Sequence, residues 1–120
     1  MLYTTFIRLC ETATEYNDRD EFTGNLYWQE WMNTYHDDVD MIASDLSIIF
    51  DLARLDFTGL RSKLGISMAR MSQLYRIPLR TLENWDSGLR IPPDYVIDFI
   101  RYAVFIREKE GDDGYIEEED

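Results

Sequence analysis

A close succession of helix-start and helix-stop signals between residues 56 and 94 constrains the fold of this chain most strongly. Asp56 and Ser67 carry side chains that can cap the N-terminus of a helix. Gly65 and Gly88 can adopt the left-handed conformation that ends a helix, and an apolar residue follows each of them. Pro78 suits the first turn of a helix, where its missing N–H costs little. These signals predict three short helices, at about residues 57–64, 68–75 and 78–87.

The remaining stretches also show helical spacing of apolar residues rather than the alternation of a strand. After Pro92 and Pro93, a last helix is predicted with inward residues Val96, Phe99, Ile100, Ala103 and Val104. In the first half, a helix over residues 2–16 would bury Leu2, Phe6, Leu9, Ala13 and Tyr16. Residues 16–25 are polar and are interpreted as a connection. An all-α fold is therefore predicted.

Two further helical stretches are predicted before residue 56. In the aromatic-rich stretch 26–36, Trp28, Met32 and Tyr35 share one helical face, with Trp31 beside them. The acidic residues Asp37, Asp38 and Asp40 then favour a helix start, because carboxylates suit the positive end of a helix dipole. This helix is expected to end near Leu55. Its predicted inward residues are Ile42, Leu46, Ile49, Phe50 and Ala53.

Charge is distributed unevenly along the chain. The formal net charge is −12, from 24 acidic and 12 basic residues. Residues 1–56 carry −9, residues 57–107 carry +4 and residues 108–120 carry −7. This asymmetry predicts an acidic, aromatic-rich helical extension over residues 1–56, a basic domain over 57–108 and an acidic tail over 109–120. The overall negative charge argues against nucleic-acid binding by the whole surface, because nucleic acid is also negatively charged. The positive net charge of the basic domain is instead compatible with nucleic-acid binding there.

Several classes of function are not indicated by the residue pattern. No nucleophile–base arrangement, phosphate-cradling glycine loop or pair of carboxylates in an apolar stretch is present, so neither an enzyme nor a cofactor is predicted. His36 and Asp40 have metal-pair spacing but are interpreted as solvated surface residues, and Cys10 as a packing residue. No stretch approaches the roughly 18 apolar residues of a membrane span. A cytoplasmic protein without a membrane partner is expected.

The predicted helix 78–87 separates an inward face from a polar outward face. Leu82 and Trp85 lie three residues apart and are expected to face the core. Arg80, Asn84 and Ser87 lie at i, i+4 and i+7 and are expected to face outward. Arginine can bond guanine through two atoms in the major groove, and asparagine can do the same for adenine. On flanking elements, Arg70, Gln73 and Arg90 are candidates for phosphate contacts.

The segment "LGISMARMSQLYRIPLRTLENWDSGLRIPPDYV" resembles the Cro/lambda-repressor-like helix-turn-helix family. The motif "IPLRTLENWDSG" followed by "PPDYV" is similar to a subgroup common in Gram-positive bacteria and their mobile elements. The resemblance covers residues 57 to about 106 and implies a five-helix DNA-binding domain that acts as a homodimer. By position it implies base contacts from Arg80, Thr81 and Asn84, with Ser87 and Arg90 near the DNA backbone. Met68 and Arg76 depart from the family, which often has glutamine and glycine at these positions.

The predicted function is sequence-specific binding of double-stranded DNA by a small transcriptional regulator. Two alternatives remain open from the sequence. An antitoxin-like regulator would use Trp28, Trp31 and Tyr35 to hold a protein toxin. An acidic mobile-element inhibitor of the anti-CRISPR kind would use the flanks to imitate nucleic acid. The antitoxin-like regulator would still bind its own promoter through the helix-turn-helix, whereas on a helix used for protein contacts Arg80 and Asn84 would be ordinary surface residues.

Overall fold

The computed structural model describes residues 1–26, 29–35 and 38–110, and all regular structure in these ranges is helical. The all-α prediction is therefore confirmed at this level. The predicted acidic tail from residue 111 lies outside the described ranges. The α-helices are α1 (Tyr3–Ala13), α2 (Arg19–Asn25), α3 (Val39–Leu52), α4 (Phe57–Leu64), α5 (Met68–Tyr75), α6 (Leu79–Ser87) and α7 (Asp94–Glu110), and a 3-10 helix spans Glu30–Tyr35.

The chain divides into two compact units. One comprises Met1–Arg54 and the chain from Phe105, and is named the N-terminal unit here. The other comprises Leu55–Val104 and is named the central unit. The division falls after residues 54 and 104, whereas the sequence pattern placed boundaries after residues 56 and 108. The roles assigned to those predicted domains remain predictions.

In the N-terminal unit, α1 packs against α3. Phe6, Leu9 and Ala13 are buried, as their spacing predicts. The ring of Phe6 lies 4.9 Å from that of Phe105 between centroids. The prediction was wrong for Leu2, which is 74% exposed because it precedes the first helical residue and has extended backbone. Cys10, on the same helix, is also buried.

The interpretation of residues 16–25 as a connection was wrong, because α2 lies there. Its start is capped by Asp18, whose carboxylate accepts a 2.9 Å hydrogen bond from the backbone N–H of Glu21. Phe22 is completely buried, with its ring centroid 5.6 Å from that of Tyr16 and 5.9 Å from that of Phe50. A single buried aromatic residue therefore holds this otherwise polar helix against the core.

Within the aromatic-rich stretch, Glu30–Tyr35 form a 3-10 helix rather than the α-helical turn that the spacing suggested. Met32 and Tyr35 are buried, as predicted, while Trp28 lies outside the described residues. Asp38 then caps α3 by accepting a 3.0 Å hydrogen bond from the backbone N–H of Met41. The predicted inward residues Ile42, Leu46, Ile49 and Phe50 are buried, and Ala53 is half-buried just beyond the helix end at Leu52.

In the central unit, α4 and α5 begin and end at the residues that the sequence pattern predicts. Asp56 accepts a 2.9 Å hydrogen bond from the backbone N–H of Gly59 and so begins α4. Gly65 ends that helix with φ of +69°. Ser67 accepts a 3.0 Å hydrogen bond from the backbone N–H of Arg70 and so begins α5. The fully or nearly fully buried side chains of α4, α5 and α6 are Phe57, Leu60, Leu64, Met71 and Leu82.

Helix α7 departs from its predicted inward stripe at one position. Ile100 and Val104 are buried, as predicted. Phe99 is 56% exposed, so the prediction of an inward Phe99 was wrong. Helical spacing places Phe99 beside Ile100, and burial would require another element to cover this side of α7. In the central unit an open groove, which Phe99 lines, runs along this side instead.

Candidate nucleic-acid interface

The connection between α5 and α6 has a defined backbone conformation. Arg76, at a position where the family that the sequence resembles often has glycine, ends α5 in the left-handed region, with φ of +59° and ψ of +38°. Ser72 donates a 2.5 Å hydrogen bond from its hydroxyl to the backbone carbonyl of Ile77. Pro78 then stands at the N-cap of α6, one position before the first helical turn where the sequence analysis placed it. These features fix how the chain leaves α5 and enters α6.

Helix α6 is anchored in the central unit through its apolar side. Leu82 is completely buried, as predicted. Trp85, also predicted to be core, is half-buried, and its ring meets Phe57 edge to face with centroids 5.6 Å apart. Gly88 ends the helix with φ of +83°. The helix is therefore held by α4 and α5, against which it packs.

The polar candidates on α6 lie away from the buried Leu82. Arg80 and Ser87 are exposed, while Thr81 and Asn84 are half-buried. Their spacing places Arg80, Asn84 and Ser87 along one side of the helix. This arrangement presents a guanidinium group and an amide about one helical turn apart on a helix whose other side is packed.

The C-terminal end of α6 is closed by two of the candidate residues. The hydroxyl of Ser87 donates to the backbone carbonyl of Asn84 at 3.3 Å, and the backbone N–H of Arg90 donates to the same carbonyl at 3.1 Å. The Arg90 side chain is exposed. Ser87 and Arg90 therefore have a structural role at the end of α6 in addition to the DNA contacts that the sequence suggested for them.

On α5, the structure brings the two flanking candidates together. The guanidinium group of Arg70 donates a 3.3 Å hydrogen bond to the side-chain oxygen of Gln73. The two residues are three positions apart and so lie on one side of the helix. Arg70 is half-buried and Gln73 is exposed. Their hydrogen bond gives the arginine a preferred direction.

An ion pair that the sequence pattern did not predict ties α4 to α6. Arg61 donates to Asp86 with a 2.9 Å distance between Nε and Oδ1. Thr58 donates its hydroxyl to the same carboxylate oxygen at 3.1 Å. The hydrogen bond from Arg61, supported by that from Thr58, holds the pKa of Asp86 below its usual value despite partial desolvation. A carboxylate in the last turn of a helix is repelled by the negative end of the helix dipole. Because Asp86 lies in the last turn of α6, its position in the sequence could have indicated that it has a cationic partner.

This ion pair changes the charge balance of the candidate interface. Between residues 67 and 91 the chain carries four arginines and two acidic residues, Glu83 and Asp86. Because Arg61 from α4 compensates Asp86, Glu83 is the one acidic residue of α6 outside that pair. The polar side of α6 therefore lies in a locally cationic part of an acidic chain.

The other predicted contact residues have different surroundings. Tyr35 is 7% exposed, and its hydroxyl donates to the buried carboxylate of Asp45, so it offers little surface to a protein partner. Trp31 is half-buried and donates from its indole N–H to the side-chain oxygen of Gln29 at 2.7 Å. His36, the histidine of the metal-like pair, lies outside the described residues.

Neither a metal-binding cluster nor a membrane-spanning helix occurs among the described residues. No group of three or more histidine, cysteine, aspartate or glutamate side chains there is placed to hold a metal ion. None of the helices in these ranges is both long enough and apolar enough to cross a membrane.

No protein-family model, curated protein or solved structure matches this chain. The resemblance to helix-turn-helix proteins therefore remains a prediction from its residues. Because one fold can serve many functions, a function for this chain has to be argued from the chemistry of its own side chains.

Proposed function

We propose that this protein is a sequence-specific binder of double-stranded DNA, acting as a transcriptional regulator, with α6 as its recognition helix. In this proposal α5 and α6 form a helix-turn-helix of the lambda-repressor-like kind. The observation that carries it is the pair of polar side chains, Arg80 and Asn84, on a helix anchored by the buried Leu82. A surface held rigidly on one side can present such groups in a fixed geometry.

The chemistry of these side chains suits the major groove of DNA. The guanidinium group of Arg80 can donate two hydrogen bonds to O6 and N7 of guanine. The amide of Asn84 can donate to N7 and accept from the N6 amino group of adenine. Thr81, beside them, offers a hydroxyl group and a methyl group, and the methyl suits contact with thymine.

The flanking residues suit the DNA backbone. Arg70 and Gln73 lie on α5, and Ser87 and Arg90 lie at the end of α6, so both sides of the recognition helix carry polar groups. Such contacts fix the position of a protein on the duplex without reading its sequence. The pairing of Asp86 with Arg61 reduces the repulsion that this carboxylate would exert on phosphates.

A homodimer is part of the proposal, because one basic unit in a chain of net charge −12 provides a small contact area for DNA. Two copies would present two α6 helices to half-sites about one helical turn apart. Symmetry of the protein would then be matched by an inverted repeat in the DNA. The contacts of the arginine side chains with phosphates are expected to make binding depend strongly on salt, because salt weakens these contacts.

The proposal is tested by selection from a pool of duplexes with randomised sequence. The expected result is enrichment of one motif as an inverted repeat. Fluorescence-anisotropy titration should then show tighter binding of the selected duplex than of a scrambled duplex, weakening between about 50 mM and 200 mM salt. If no motif is enriched, or if the selected and scrambled duplexes bind equally well, the proposal is wrong.

A further inference from the structure

One arginine of the central unit has a strained backbone conformation. Arg76 ends α5 with φ of +59°, and among the described residues it is the one residue other than glycine with a positive φ. Glycine occupies the left-handed ends of α4 and α6, at Gly65 and Gly88. In this conformation a Cβ lies too close to the following carbonyl oxygen, which costs stability. The turn before α6 therefore has a large side chain where the backbone favours none.

The turn holds this conformation without using the Arg76 side chain. The hydroxyl of Ser72 donates to the backbone carbonyl of Ile77 at 2.5 Å, across the turn. The Arg76 side chain is exposed, and its guanidinium group forms no hydrogen bond or ion pair with the part of the chain that the structure describes. No contact in these ranges therefore offsets the strain. Strained residues that persist in a folded protein cluster where a side chain serves binding.

The arginines of the central unit form two groups. Residues 55–104 are all described, and three of their six arginines donate side-chain hydrogen bonds to a neighbouring side chain: Arg61, Arg70 and Arg101. The guanidinium groups of the other three have no such partner in the described ranges: Arg76, Arg80 and Arg90. All three of these lie on α6 or within three residues of its ends. The guanidinium groups available for an external anion are therefore gathered at the proposed recognition helix.

We propose that Arg76 contacts a phosphate group of the DNA backbone, at the edge of the groove that α6 enters. This inference rests on the proposed function, because it adds a contact to the same site. A guanidinium group can donate to two phosphate oxygens at once, with opposite charges in contact. The family that the sequence resembles often has glycine at this position, so the resemblance implies no contact from it. The departure from glycine is the feature that assigns a role to Arg76.

The position of Arg76 favours a phosphate over a base. It lies three residues before the start of α6, whereas Arg80 lies within the first turn. The nine residues of α6 rise about 13 Å, close to the roughly 12 Å width of the major groove. Cations just outside the two ends of the helix, Arg76 and Arg90, are therefore placed near the edges of the groove, where the phosphates lie. Contacts at both ends would fix the position of α6 on the duplex.

The test compares the salt dependence of DNA binding by the wild type and Arg76→Gly, in anisotropy titrations of the selected and the scrambled duplex. Arg76→Gly removes the guanidinium group and relieves the strain, so the variant should fold at least as stably as the wild type. It should nevertheless bind both duplexes more weakly by a similar factor, because a phosphate contact does not read sequence. The plot of log K against log salt concentration should become shallower by about 0.9 for each copy bound.

Three further variants separate the charge of Arg76 from its backbone. Arg76→Lys keeps the positive charge and should keep the slope of the wild type. Arg76→Asn is neutral and tolerates the left-handed conformation, so it should show the shallower slope of Arg76→Gly. Arg8→Ala is the matched control, because it removes an equal charge from the exposed side of α1, and it should keep the slope of the wild type. Circular dichroism of each variant verifies that its helices are intact.

The possible outcomes distinguish this inference from the proposed function. If Arg76→Gly keeps the affinity and slope of the wild type, the phosphate contact is wrong, even where the wild type prefers the selected duplex. Weakening confined to the selected duplex also overturns it, because that pattern belongs to a base contact. If the wild type binds both duplexes equally and Arg76→Gly has the shallower slope, the phosphate contact is supported and sequence-specific binding is wrong. A wild type that binds neither duplex overturns both.

Discussion

The hydroxyl group of Ser72 in α5 donates a 2.5 Å hydrogen bond to the backbone carbonyl of Ile77, the residue before the proline at the start of α6. The bond spans the left-handed Arg76 and joins the two sides of the turn. Ser72 is half-buried, so water is partly excluded from this bond. A small hydroxyl side chain therefore helps to set the direction of the proposed recognition helix.

Ser72→Ala is expected to lower the free energy of unfolding by about 1 kcal/mol, because the Ile77 carbonyl loses its donor in a partly buried position. Urea unfolding measures this change. Ser62→Ala, in the exposed surface of α4, is the matched control, since it gives the same serine-to-alanine change within a helix. Equal effects of the two substitutions would contradict the role assigned to the Ser72 hydroxyl.

Two substitutions at left-handed positions are expected to act in opposite directions. Arg76→Gly should raise the free energy of unfolding by about 0.5 kcal/mol, because relief of the left-handed backbone exceeds the added freedom of the unfolded chain. Gly88→Ala should lower it by about 1 kcal/mol. A Cβ at Gly88 would meet no atom within 4 Å, so that cost comes from the backbone alone. Thermal unfolding that shifts both variants in the same direction would contradict this account.

Asp86→Asn is expected to lower the free energy of unfolding by about 0.5–1 kcal/mol at neutral pH. The hydrogen bond from Arg61 lowers the pKa of Asp86 in the folded protein, so its stabilising contribution is present above the pKa of the unfolded chain. That contribution disappears as the pH falls through the folded pKa. Urea unfolding at about pH 7 and pH 3 should therefore show a difference between variant and wild type that shrinks in acid. A difference that stays constant would exclude this ion pair as its cause.

The buried carboxylate of Asp45 is expected to be coupled energetically to Lys109. Asp45 is 2% exposed, accepts a hydrogen bond from Tyr35, and lies 3.2 Å from the Lys109 ammonium group. Asp45→Asn should cost about 2–3 kcal/mol, because Lys109 loses its partner in a partly buried position. In a double-mutant cycle with Lys109→Met, the combined cost should be smaller than the sum of the single costs. Strict additivity would show that the pair is not coupled.

The helix boundaries of the central unit could be predicted because their signals are local. Asp56, Ser67, Gly65 and Gly88 act on backbone groups within three or four residues of their own positions. A single sequence contains all the information that such caps need. The same holds for Leu82, whose burial follows from helical spacing on a short helix with one polar side.

Features that depend on distant parts of the chain could not be predicted in the same way. Helix α2 was missed because its polar residues conceal one anchoring residue, Phe22, whose partner Phe50 is far away in sequence. The ion pair of Arg61 with Asp86 also joins residues from different helices. Phe99 has the correct spacing for burial, and its exposure reflects the open groove beside α7. Helical periodicity specifies a side of a helix but not what covers that side.

The discrimination of Arg80→Ala between the selected duplex and its scrambled version tests the recognition role of α6 most directly. Arg8→Ala is the matched control, because it removes an equal charge from the exposed side of α1 in the N-terminal unit. In anisotropy titrations, Arg80→Ala is expected to lose about 1–3 kcal/mol of discrimination, roughly 5- to 150-fold, because a two-atom contact to one base is lost. Arg8→Ala should keep the discrimination of the wild type. If Arg80→Ala discriminates as well as Arg8→Ala does, α6 is not the helix that reads DNA.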